Sequence, residues 1–179
     1  MIAFLIVFLL VLAGTLAAIG LVIASFGVTA LWGAPFVGTP ATIVRRMLVL
    51  AEAKAGETVM DLGSGTGAIL ILAAKEFQMK AIGYEINPFL RVITRLKAWH
   101  AGVADRVEVR GGNIVGITLP EAEVVTLFLL EPLVERLRPK LIAELPETTR
   151  IIARDFHLKH WPHYAEDGWL RAYRKQDVL

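Results

Sequence analysis

A chain of 179 residues has room for one domain and an appendage. Its 19 Lys and Arg against 17 Asp and Glu leave a net charge of +2, which points to no particular class of partner, and the absence of cysteine excludes disulfides and thiolate metal sites. The mean hydropathy of +0.57 averages two unlike regions, because no charged side chain occurs before Arg45.

The uncharged N-terminal run MIAFLIVFLLVLAGTLAAIGLVIASFGVTALW covers residues 1–32. About 20 apolar residues in a helix cross about 30 Å of hydrocarbon, so this run predicts a transmembrane anchor with a turn or two to spare. Trp32 is placed as an interfacial anchor, and Arg45 and Arg46 favour a cytoplasmic location for the C-terminal side of the run. A cleaved signal is the weaker reading, since no Lys or Arg precedes the run and the run is long for a signal. Residues 33–38 (GAPFVG) read as a linker, and residues 39–179 as one domain.

Three helix starts pair a capping position with proline, at Thr39-Pro40, Asn87-Pro88 and Glu131-Pro132. Apolar residues at helical spacing come after each, with Pro139 expected to kink or interrupt the third helix. A further helix is expected over residues 68–77. Short β-rich runs lie at 58–60, 81–84, 107–109, 124–130 and 150–153, with a plausible edge strand at 168–173. The run at 124–130 is apolar almost throughout, as suits a central strand covered on both faces. Strand and helix alternate, which predicts an α/β fold with a doubly wound parallel sheet.

The segment TVMDLGSGTGAIL carries the most chemistry. A strand ends at Asp61, the alternate glycines Gly63, Gly65 and Gly67 come next, and a helix begins near Ala68. Glycine is wanted where the chain turns sharply or a ligand must approach bare backbone, and the helix N-terminus behind offers N–H groups and a positive dipole end. Glu85 ends the next strand, where a carboxylate can accept hydrogen bonds from ribose hydroxyls. The glycine spacing also satisfies the looser dinucleotide fingerprint, so NAD stays an alternative. Asp61 favours S-adenosylmethionine, because a carboxylate repels a pyrophosphate and attracts the ammonium of a methionine moiety. Ser64 belongs to the same loop, and Asn113, after the strand at 107–109, is a candidate for the adenine edge.

DLGSGTG with the later YEINP resembles the first two motifs of class I methyltransferases. Four stretches, FVGTPATIVRRMLVLA, GYEINPFL, VVTLFLLEPLVERLRPKL and TRIIARDFHLKHWP, resemble the FAM173-type protein-lysine methyltransferases and their prokaryotic relatives over most of residues 36–162. The resemblance implies a seven-stranded, Rossmann-like methyltransferase sheet behind one membrane helix. It implies S-adenosylmethionine at Asp61, Gly63, Gly65, Gly67 and Glu85, with Thr39 of the segment before the domain near the cofactor. Two positions depart from the pattern: Thr66 stands where an acidic residue is expected, and Leu130-Glu131-Pro132 where Leu-Pro is expected.

Methyl transfer to a lysine needs a neutral amine, which a nearby carboxylate or carbonyl can orient, and Glu131 and Asp155 are the candidates for that catalytic role. His157, His160 and His163 read as a solvated loop rather than a metal site. The leading expectation is methylation of a lysine in a membrane or membrane-associated protein, with no nucleic-acid partner. Methylation of a lipid amine or quinone at the interface, and a non-catalytic cofactor-binding scaffold, are the alternatives.

Overall fold

A computed structural model describes residues 1–31 and 37–177, and within the first helix the side chains of residues 1–21, 23 and 27. Trp32 and residues 33–36 of the expected linker therefore lie outside the described residues. Helix α1, Ile2–Leu31, contains one 20-residue span, Ile2–Leu21, long and apolar enough to cross a membrane. Its described side chains are exposed.

The chain then runs α2 (Ala41–Leu50), β1 (Thr58–Leu62), α3 (Ala68–Glu76), β2 (Lys80–Tyr84), α4 (Pro88–His100) and β3 (Val107–Arg110), and then β4 (Val124–Leu127), α5 (Glu131–Glu144), β5 (Arg150–Arg154), β6 (His163–Asp167) and β7 (Leu170–Arg174). The strands form one sheet in the order β3-β2-β1-β4-β5-β7-β6. The first five are parallel, and β7 and β6 are antiparallel additions. The strand order reverses between β1 and β4. Right-handed crossovers therefore place α3 and α4 on one face of the sheet and α5 on the other.

Strand periodicity sorts the core accordingly. Met60, Leu62, Val125, Leu127 and Ile151 pack with Leu133, Val134, Leu137 and Leu141 of α5. The intervening Val59, Ala81, Val124 and Ile152 face the opposite way, onto Val44, Met47 and Leu48 of α2 and Leu70 and Ala73 of α3. Each large side chain so buried contributes about 1.5–3 kcal/mol. Arg150 ties α2 to the sheet: it pairs with Glu57 at 2.6 Å and donates to the carbonyls of Ala51 and Glu52 just past the helix. A cation there also complements the negative end of α2.

Several expectations need correction. Residues 128–130 leave the sheet, so β4 is shorter than the apolar run. The strand near 168–173 is not at the edge, because β7 is flanked by β5 and β6. Helix α5 runs through Pro139 without a break. Proline removes one hydrogen bond of that helix, and the buried leucine stripe on either side holds it together. Thr39 is not a cap. Pro40 takes that position, while Asn87 does cap α4, accepting from the Phe89 N–H at 2.9 Å.

Candidate active site

Parallel strands in an open sheet end at one edge, and ligands bind outside those carboxyl ends where the strand order reverses. A cleft opens there, between β1 and β4. It encloses about 970 Å³ of empty space, its open mouth included, which suits a small organic molecule.

The floor is the turn from β1 into α3. Gly63 has φ +90°, and a β-carbon there would lie 2.8 Å from the side chain of Leu129. Gly67 has φ +75°, and a β-carbon there would meet Thr94 of α4 at 2.5 Å. Both positions exclude a side chain twice over, by backbone conformation and by space. The turn is pinned from β2: the N–H groups of Gly63 and Ser64 donate to the Tyr84 carbonyl, and that of Gly65 donates to Glu85 at 2.9 Å. Glu85 also accepts from the Asn87 N–H at 2.8 Å, so one carboxylate holds the loop and the start of α4 in register.

Two carboxylates reach this floor from inside. Asp61 is 4% exposed and accepts a 2.7 Å hydrogen bond from the Thr126 hydroxyl on β4. Burial pushes its pKa up to about 7, against the opposing pull of that hydrogen bond, and the nearby Glu85 raises it further. Burial also raises the pKa of Glu85, against backbone hydrogen bonds led by those of Asn87 and Gly65 and against the nearby Arg91 charge. The site is thus acidic and desolvated, and a cation would relieve it.

Of the residues expected to hold a cofactor, Thr39, Asp61, Gly63, Ser64, Gly65, Glu85 and Asn113 all line the cleft. Gly67 does not: it serves the turn and the contact with Thr94. Asn113 turns its own loop, accepting from the Val115 N–H at 3.1 Å. Thr66 lines the cleft despite its departure from the family pattern. The expected catalytic carboxylates stand elsewhere. Glu131 is half-exposed and paired with Lys159, and Asp155 pairs with Arg154 at 3.2 Å; neither lines the cleft.

The other wall was missed in the sequence. It consists of Phe128 and Leu129 after β4 and Val37 before α2. Behind it the Arg154 guanidinium lies 4.1 Å over the Phe128 ring and donates to the Thr39 hydroxyl at 3.3 Å. Among the described residues no group of three or more His, Cys, Asp or Glu is gathered as a metal would require.

S-adenosylmethionine fits this donor set. Asp61 offers an anion for an ammonium, Glu85 acceptors for ribose hydroxyls, and the buried Ser64 hydroxyl has no protein partner. When bound, the cofactor supplies a methyl group on a positively charged sulfur. The chain's own part is to hold charge, align the acceptor and exclude water.

Comparisons with known proteins agree. Residues 61–165 match the ANTKMT methyltransferase domain. The chain is 41% identical to a protein-lysine N-methyltransferase of Saccharolobus islandicus over 128 residues, 71% of this chain and 80% of that one. It is 36% identical to the mouse adenine nucleotide translocase lysine N-methyltransferase, covering 75% of this chain and only 58% of the mouse protein. A crystallised RNA methyltransferase of Salinibacter ruber, in complex with S-adenosyl-L-homocysteine, superimposes with a TM-score of 0.72 at 38% identity, covering 77% of this chain and 92% of that one. The chain therefore belongs to the ANTKMT methyltransferase domain family and is an S-adenosylmethionine-dependent methyltransferase.

Proposed function

We propose that this protein is a protein-lysine N-methyltransferase, anchored by α1 to a membrane with its domain on the cytoplasmic side, and acting on a lysine of a membrane or membrane-associated protein. In this reading residues 1–32 are the anchor, 33–38 the linker and 39–179 the catalytic domain. Thr39, Asp61, Gly63, Ser64, Gly65, Glu85 and Asn113 contact the cofactor, and Gly67 shapes the loop that does.

The observation that carries the reading is the contrast between the two walls of the cleft. The cofactor wall is anionic, whereas the acceptor wall is apolar and aromatic with a cation behind it. A lysine ammonium, with a reference pKa of about 10.4, must lose its proton before it can attack. Desolvation against Phe128, Leu129 and Val37 lowers that pKa, and the Arg154 guanidinium, its charge partly balanced by Asp155, adds a smaller like-charge repulsion. The proton leaves to water as the lysine enters, so neither Glu131 nor Asp155 is needed as a base. The lysine-methylating Saccharolobus and mouse relatives support the same substrate class. The 20-residue apolar span and the arginines beyond it support the anchor and its orientation.

RNA is the second reading, favoured by the description of the Salinibacter ruber relative. A net charge of +2 gives it little electrostatic support. The full chain, incubated with membranes and S-adenosylmethionine tritiated on its methyl group, separates the substrates. Protease-sensitive label recovered as methyllysine after acid hydrolysis is expected. Ribonuclease-sensitive label would transfer the assignment to RNA, and solvent-extractable label to a lipid or quinone.

A further inference from the structure

Helix α4 has two apolar faces where packing accounts for one. Leu90, Thr94 and Ala98 point into the protein and are buried. At 100° per residue, Val92, Leu96 and Trp99 fall on the diametrically opposite side, at 51%, 61% and 74% exposure, with Ile93 beside them. Single exposed apolar residues are ordinary, but a continuous stripe ending in an exposed tryptophan marks an interaction surface.

Charge and tether identify the occupant. Helix α4 contains no acidic residue, and its basic residues flank the outer stripe: Arg91 and Arg95 on one side, Lys97 and His100 on the other. Arg91 and Arg95 also donate to the carbonyls of Glu85, Ile86 and Val109, which fixes them beside the stripe. An apolar stripe between cationic flanks, with Trp at its end, suits the boundary between anionic headgroups and acyl chains. Helix α4 lies in the same layer as α3 and α2, and α2 exposes Val49. Six peptide steps join Leu31 at the end of α1 to Val37, a reach of at most about 20 Å. A spanning α1 therefore holds this layer within a domain's width of the bilayer.

We infer that the outer face of α4, centred on Val92, Leu96 and Trp99, is a second membrane contact that lies on the anionic surface of the bilayer crossed by α1. This rests on the anchor reading above. The two contacts together fix how the domain sits, because one helical tether alone leaves it free to rotate. Since Leu90 and the Glu85–Asn87 turn border the cleft, α4 also sets the cleft's height above the lipid, which selects lysines close to the membrane surface.

The chain has no cysteine, so single-site labelling needs no background substitutions. Leu96→Cys and, on the exposed face of α5 across the sheet, Ala143→Cys each take a nitroxide label in the full chain. The protein is reconstituted in vesicles of phosphatidylglycerol and phosphatidylcholine, floated on a density gradient, and only the floated fraction is measured. The expected result is a several-fold higher ratio of oxygen to water-soluble nickel-chelate accessibility at position 96 than at 143. Equal, aqueous ratios in floated protein would overturn the α4 contact and leave the anchor standing. Dipolar broadening between labels at position 96 would overturn it in favour of a second copy of the chain. Failure to float would overturn both contacts.

Discussion

The two walls of the cleft come from the two halves of the sheet, and they are built on different principles. The β1–β2 half is polar and buried, with its glycines, two carboxylates and a hydroxyl all within the 25 residues from Asp61 to Glu85, although Thr126 of β4 also holds Asp61. The β4–β5 half is apolar and assembled from afar, since Val37, Phe128 and Arg154 meet only through the fold. A wall that binds one invariant cofactor can be written as a local motif. A wall that receives a varied acceptor is written in loops, which the scaffold brings together.

The sharpest way to break this contrast is Asp61→Asn. It removes the buried anion and leaves the shape, so cofactor affinity should fall by about 100-fold or more in calorimetry, the loss expected for a buried charge pair. The same change should stabilise the ligand-free protein. Asp61 titrates at about 7 in the fold against 3.8 unfolded. The folded state therefore holds its proton more tightly, and stability declines as pH rises from about 4 to 7. Above pH 7 the cost of burying the carboxylate is complete, on the order of 4 kcal/mol. Unfolding in urea at pH 8 should show the Asn variant more stable than the parent, and a less stable variant would mean that Asp61 is held by a countercharge. Cofactor affinity in the parent should weaken as pH falls below 7, approaching tenfold per unit, because a cationic ligand needs the ionised form.

Structural ties should cost less and fall on both halves alike. Gly67→Ala puts a methyl against Thr94 at a positive φ, and should cost about 2–3 kcal/mol in urea unfolding. Arg150→Met leaves Glu57 half-buried without its partner and two carbonyls without a donor, for about 3 kcal/mol. Neither change should alter the site's pH dependence.

Legibility in the sequence divides along the same line. The strand-loop-helix around Asp61 and the capped start of α4 at Asn87 are local signals, and the structure has them where the residues predict. Strand β6 was not expected, because HYAED is a half-exposed edge with little apolar alternation. The Asp167-Gly168 pair, a hairpin signal with Gly168 at φ +62°, could have revealed it. Glu131 and Asp155 read as catalytic because they come just after strands. Each is paired with a cation, Glu131 with Lys159 and Asp155 with Arg154, and no spacing rule in the sequence reveals those pairs.

The smallest expected effect is the most specific to the acceptor wall. Arg154→Met keeps bulk on Phe128 and removes the charge, so cofactor affinity should change less than about threefold. The incoming amine then loses the repulsion that helps strip its proton, and its pKa in the cleft rises. The rising limb of the pH profile of kcat, which reports the amine bound in the cleft, should move upward, and the rate at pH 7 should drop by about tenfold for each pKa unit of that rise. Arg154→Lys, which keeps a cation, should restore part of the shift. A merely structural arginine would give the opposite pattern, with cofactor affinity and stability lost together and the profile unmoved.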